Sequence, residues 1–88
     1  MPSLWNENKT KGDSGGRSEA IVWNSDGTFK EIVGYRPVVG ASMLVGSVTA
    51  RTYESQDFWL TTPVVEILEE REDYVKFRTK NSIYEWRK

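Results

Sequence analysis

Residues 12–16 read GDSGG, a pattern that surrounds the nucleophile in one class of serine proteases. A serine hydroxyl needs a base within hydrogen-bond reach, usually a histidine oriented by a carboxylate. The chain contains no histidine. Lys9 and Lys11 lie close in sequence, but a lysine base must be desolvated to lower its pKa. The stretch NENKTKGDSGGRS holds no apolar residue with which to build a dry pocket. Ser14 is therefore read as part of a Gly- and Ser-rich polar segment, not as a nucleophile. The same glycines resemble a phosphate loop only loosely. A Walker A loop needs Lys then Ser or Thr entering a helix, whereas Arg17-Ser18 here leads toward a strand.

Metal chemistry is also narrowed. Cysteine and histidine are both absent, so thiolate and imidazole ligands are missing and no cofactor is expected. Oxygen-only sites for magnesium or calcium stay open, without EF-hand spacing. Glu66, Glu69, Glu70, Glu72 and Asp73 form an acid cluster. Charge runs of this kind mark solvated faces, and exposed carboxylates lack an environment that would separate their pKa values. No base, nucleophile or metal set emerges, and the chain is expected not to be an enzyme.

Recognition chemistry is better represented. The segment ARTYESQDFWLTT, residues 50–62, combines Arg51, Tyr53, Gln56, Asp57 and Trp59. Aromatic planes beside an arginine fork and hydrogen-bonding edges are what a nucleobase or nucleotide site requires. Trp59 and Tyr53 would stack, Gln56 and Asp57 would read base edges, and Arg51 would meet phosphate. Lys76 and Arg78 would supply further charge. A structural loop whose aromatics cap a barrel is the competing reading of the same segment.

These residues need a scaffold. The 88 residues fit one small domain, and residues 1–17 read as a polar, flexible N-terminal arm, with Leu4 and Trp5 its apolar exceptions. Roughly 70 residues remain for a domain spanning 18–88, a marginal core without help from ligands or self-association. Residues 18–34 read as a hairpin around NSDG. A two-residue turn there would pair Ile21 with Ile32, and a three-residue turn would pair Trp23 with Phe29. SMLVGSVTAR reads as a buried strand. Residues 63–73 carry conflicting signals: Thr62 then Pro63 suits a helix start, while Val64, Val65 and Ile67 favour the strand preferred here.

The C-terminal YVKFRTKNSIYEWRK is the clearest element. A two-residue turn at Asn81-Ser82 would set Phe77 opposite Trp86 and Arg78 opposite Glu85. One face would carry Val75, Phe77, Thr79, Tyr84 and Trp86, the other Lys76, Arg78, Lys80, Glu85 and Arg87. The expected fold is all-β: a small SH3-like barrel or a twisted antiparallel sheet.

Net charge is −1, so no global basic field favours nucleic acid, but charge is segregated. Residues 66–73 carry five acids and one arginine; residues 74–88 carry five bases and one acid. No apolar run approaches a membrane span and no signal-peptide core opens the chain. A cytoplasmic, non-membrane protein is expected.

VGASMLVGSVTARTYESQDFW and TTPVVEILEEREDYVKFRTKNSIYEW resemble a group of small β proteins of tailed bacteriophages. Proteins of this type include inhibitors of host defence, among them anti-CBASS sponges that sequester cyclic nucleotide signals. The resemblance implies a nucleotide held between subunits without turnover, in the host cytoplasm. The expected partners are a cyclic nucleotide or other small phosphate-bearing ligand, and further copies of the chain in a homo-oligomer. A host enzyme blocked by direct contact, or a structural place in the virion, are the alternatives.

Overall fold

The alternation of β-branched and aromatic residues with polar ones gives strands throughout. The computed structural model describes residues 2–46 and 58–88, and among them the regular elements are nine strands. They are β1 Ser3–Asn6, β2 Gly12–Ser14, β3 Arg17–Trp23, β4 Phe29–Gly34, β5 Ser42–Gly46, β6 Phe58–Leu60, β7 Val64–Arg71, β8 Tyr74–Thr79 and β9 Ile83–Arg87. They form two antiparallel sheets. The first, sheet A, runs β2-β1-β9-β8-β7; the second, sheet B, runs β4-β3-β5-β6. The all-β expectation is met by two facing sheets, and no closed barrel forms among the described residues.

The core lies between the sheets. Sheet A contributes Leu4, Val64, Val75, Phe77, Tyr84 and Trp86; sheet B and its entry contribute Ala20, Ala41, Met43 and Val45. Each large apolar side chain buried here is worth about 1.5–3 kcal/mol. The buried polar groups are partnered: the Trp23 indole donates to Ser42 Oγ at 2.9 Å, and the Met43 amide to Thr61 Oγ1 at 3.0 Å.

Three sequence expectations are corrected. Residues 1–17 do not stand off as an arm: β1 is an interior strand, pairing Leu4 with Trp86 on one side and with Asp13 on the other. Leu4 is fully buried, and that apolar anchor is what draws a polar segment into the sheet. The β8–β9 register is shifted by two residues, so Phe77 faces Tyr84 and Arg78 faces Ile83. The cause is Thr79. Its hydroxyl accepts from the Ser82 amide and donates to the Ser82 carbonyl, both at 3.2 Å, which places Lys80 and Asn81 in the turn. A shift of two preserves the faces, so Val75, Phe77, Thr79, Tyr84 and Trp86 are buried together as expected. Arg78 consequently pairs not with Glu85 but with Glu66 of β7, at 3.3 Å.

Two further hairpins, β3–β4 and β7–β8, carry irregularities of register. Both pairings foreseen for β3–β4 occur: Trp23 faces Phe29 and Ile21 faces Ile32. An extra residue, Lys30, separates them as a bulge. β7 is the strand expected within residues 63–73. It bulges at Val65 and Leu68, and these two side chains are exposed on its edge.

Candidate ligand-binding face

Pairing across sheet A fixes which side chains share its solvent side. One row runs Ser3, Arg87, Tyr74 and Arg71; the next runs Trp5, Glu85, Lys76 and Glu69; a third carries Ile83, Arg78 and Glu66. The Tyr74 ring lies between two guanidinium groups, with Arg87 Cζ at 4.7 Å and Arg71 Cζ at 5.3 Å from its centroid. Its hydroxyl donates to Glu85 Oε2 at 3.1 Å. Burial, then this bond, raises the Tyr74 pKa above its ordinary value of 10.0.

This arrangement revises the expected basic face. Lys76 lies between Glu85 and Glu69, and Arg78 pairs with Glu66. In the second and third rows acid and base alternate across the strands, so much of the charge segregated along the chain is neutralised in space. Trp59 is placed elsewhere. It turns into the interior, packs against the core and donates its indole N–H to Tyr84 Oη at 3.3 Å. It therefore shares no face with Lys76 and Arg78. Arg51, Tyr53, Gln56 and Asp57 lie outside the described residues. The acid cluster is likewise dispersed, with Glu69 on Arg71 at 2.6 Å and Glu70 on Arg36 at 3.4 Å. No grouping of acids that could hold a metal ion occurs among the described residues.

Two clefts open at one end of this sheet, and each carries one exposed lysine. A cleft of about 370 Å³ is lined by Trp5, Asn6, Lys9 and Arg87, with Ser3 and Glu85. A second cleft of about 410 Å³ adjoins it through Asn6 and is lined by Arg78, Lys80 and Asn81 among others. Lys9 and Lys80 are exposed and carry no ion pair among the described residues, whereas Arg87 pairs with Glu85 at 3.5 Å.

The loop carrying Lys9 is tightly organised. Asn6 Oδ1 accepts from the amides of Thr10 and Lys11 at 2.8 and 3.1 Å, and Asn6 Nδ2 donates to Thr10 Oγ1 at 3.0 Å. The Lys9 amide donates to the Asn6 carbonyl at 2.9 Å. Lys9 has φ of 57°, the one positive φ outside glycine among the described residues. The β3–β4 turn repeats the pattern: Asn24 Nδ2 donates to Thr28 Oγ1, and the Gly27 amide to the Asn24 carbonyl. There the left-handed position is filled by Gly27, at φ 87°. The two turns share these bonds but differ in length, the first closing on the Lys11 carbonyl and the second on that of Thr28; lysine holds the left-handed position in one and glycine in the other.

Sequence reasoning passed over Trp5 and Lys9 as candidate cleft residues. The signal was present. Asn6 and Thr10 have the spacing of Asn24 and Thr28, and matching them would have marked a second hairpin beginning at Trp5. No protein-family model matches the chain, and neither does any curated protein or solved structure.

Proposed function

We propose that the chain is a non-enzymatic, phage-type binding protein that sequesters a small phosphate-bearing ligand, such as a cyclic dinucleotide, and so blunts a host defence signal. The observation that carries this reading is the pair of clefts joined at Asn6. One offers an indole face with Lys9 and Arg87; the other offers Arg78 and Lys80. A flat ring stacks on Trp5 while its phosphate meets Lys9, and a second phosphate meets Lys80. Lys76 adds little, because two carboxylates flank it. The test is native mass spectrometry of the protein with a panel of cyclic di- and trinucleotides. A fixed gain of one nucleotide, released with its mass unchanged, supports sequestration. Failure of every member of the panel to bind overturns the reading, and release of a hydrolysed product overturns its non-enzymatic part.

A second reading has its own observation. Val38 and Val39 are 42% and 62% exposed, and the Gly40 amide bonds the Val64 carbonyl beside exposed Val65. Apolar side chains together at a sheet edge fit contact with a protein, such as a host enzyme. Val39→Glu would abolish that contact and leave nucleotide binding intact.

A further inference from the structure

The four strands at the sheet margins differ in what they offer a neighbour. β2 and β6 have three residues each. β7 carries Glu66, Glu69 and Glu70, so a second copy paired along it would set acids near acids. β4 is six residues long and exposed along its whole length. Its Phe29 and Ile32 side chains are 55% and 47% exposed. Between them stand its two charges, Lys30 and Glu31, adjacent and of opposite sign.

The bulge at Lys30 gives this strand an unusual symmetry. Phe29 and Ile32 are three residues apart, yet their partners Trp23 and Ile21 lie on one face of β3. Phe29 and Ile32 therefore share a face as well. In a regular strand they would point to opposite sides. Residues directly opposed in an antiparallel pair must share a face. Only because of the bulge can Phe29 oppose Ile32 of another β4.

We infer that β4 is the seam of a symmetric dimer of this chain. A two-fold axis through the middle of the strand sets Lys30 against Glu31 of the partner subunit, and Phe29 against Ile32 of the partner subunit, each pair occurring twice. A bulge protects an edge from regular strands. Here it admits a strand carrying the same bulge, which favours self-pairing over other partners. The apolar stripe of sheet B then continues across the axis.

Sedimentation equilibrium tests the seam, independently of any nucleotide. The wild-type chain is expected to dimerise in the range of about 1–100 µM; a monomer throughout that range overturns the inference. Lys30→Glu and Glu31→Lys each weaken association about tenfold, because each creates two like-charge pairs. Mixed one to one, the two variants form heterodimers more readily than either associates alone, since every facing pair is again opposite in sign. The double reversal K30E/E31K restores wild-type association. A dimer that both single variants leave unchanged, or a mixture without preferential heterodimers, overturns the seam.

Discussion

The indole Nε1 of Trp86 donates to the hydroxyl oxygen of Ser18 at 2.9 Å, joining the two sheets across their core. Trp86 is fully buried in sheet A, and Ser18 stands on β3 of sheet B. The hydroxyl in turn donates to the Tyr35 carbonyl at 2.7 Å. One small side chain therefore satisfies a buried donor and a loop acceptor together.

Ser18→Ala strands that indole N–H, and a buried donor without a partner costs about 1–3 kcal/mol. Equilibrium unfolding in urea should show this loss. Replacing Trp86 by Phe removes the donor but leaves a cavity. The double variant should then be less destabilised than the two single losses combined. Strict additivity would show that the bond is not worth counting.

Arg36 makes the second tie. Its guanidinium lies 5.4 Å from the Trp86 ring centroid and donates to the carbonyls of Arg71, at the end of β7, and Glu72, in the turn to β8. A planar fork meets two carbonyls and a ring at once; an ammonium cannot. Arg36→Lys should lose about 1–2 kcal/mol. Glu70→Gln, which touches only the 3.4 Å exposed contact, should change stability by less than about 1 kcal/mol. Thermal melts of the two variants would separate fork geometry from simple charge.

The sequence made the faces of β8 and β9 legible because strict alternation survives any even shift of register. It left the register open because the decisive group is one hydroxyl, that of Thr79, whose role depends on its burial. β7 was legible as a strand only from its β-branched residues, because two bulges leave Val64, Val65, Ile67 and Leu68 with no clean period. β1 was masked by composition: one buried leucine among polar neighbours carries little weight in a pattern. The direction of Trp59 was hidden for a related reason. Its inward direction is set by pairing with Val45, which local sequence does not reveal.

Gly12 gives GDSGG a structural meaning. It has φ of 152°, and a Cβ there would collide with the Leu4 carbonyl oxygen and sit 2.8 Å from Trp5 Cα. Gly12→Ala should cost at least about 2 kcal/mol, through backbone strain and separation of β1 from β2. Gly16 has open space around it. Gly16→Ala should change stability by about 0.5 kcal/mol or less. Equal effects at the two glycines in a denaturant titration would contradict the strand pairing.

Asp26 makes stability depend on acid. Its carboxylate accepts from the Thr28 hydroxyl and amide, at 2.6 and 3.0 Å, which lowers its pKa below the ordinary 3.8. The folded state therefore favours the ionised form. Its contribution is fully present above the ordinary value and is lost as pH falls through the lowered one. Thr28→Val removes the hydroxyl, the larger cause, and should move the Asp26 titration upward. Carboxyl carbon NMR shifts followed through the acid range would show this. An unmoved titration would mean that the hydroxyl does not hold the ion.

Lys9 separates binding from stability. A left-handed lysine costs about 1 kcal/mol of backbone strain that glycine would not incur. The sister turn shows the unstrained solution, with Gly27 in the same place. Lys9→Gly should thus hold stability or raise it by up to about 1 kcal/mol, although glycine gives some of this back as unfolded-chain entropy. If Lys9 meets phosphate, the same change should weaken binding of the cyclic nucleotide at least about tenfold, the loss expected for one charge-assisted contact. Calorimetric titration and thermal melting of this one variant give both numbers. Weaker binding in a protein of equal or higher stability identifies a residue that serves the ligand and not the fold. Unchanged binding with gained stability would remove Lys9 from the site, and lost stability would show that the turn tolerates lysine without strain.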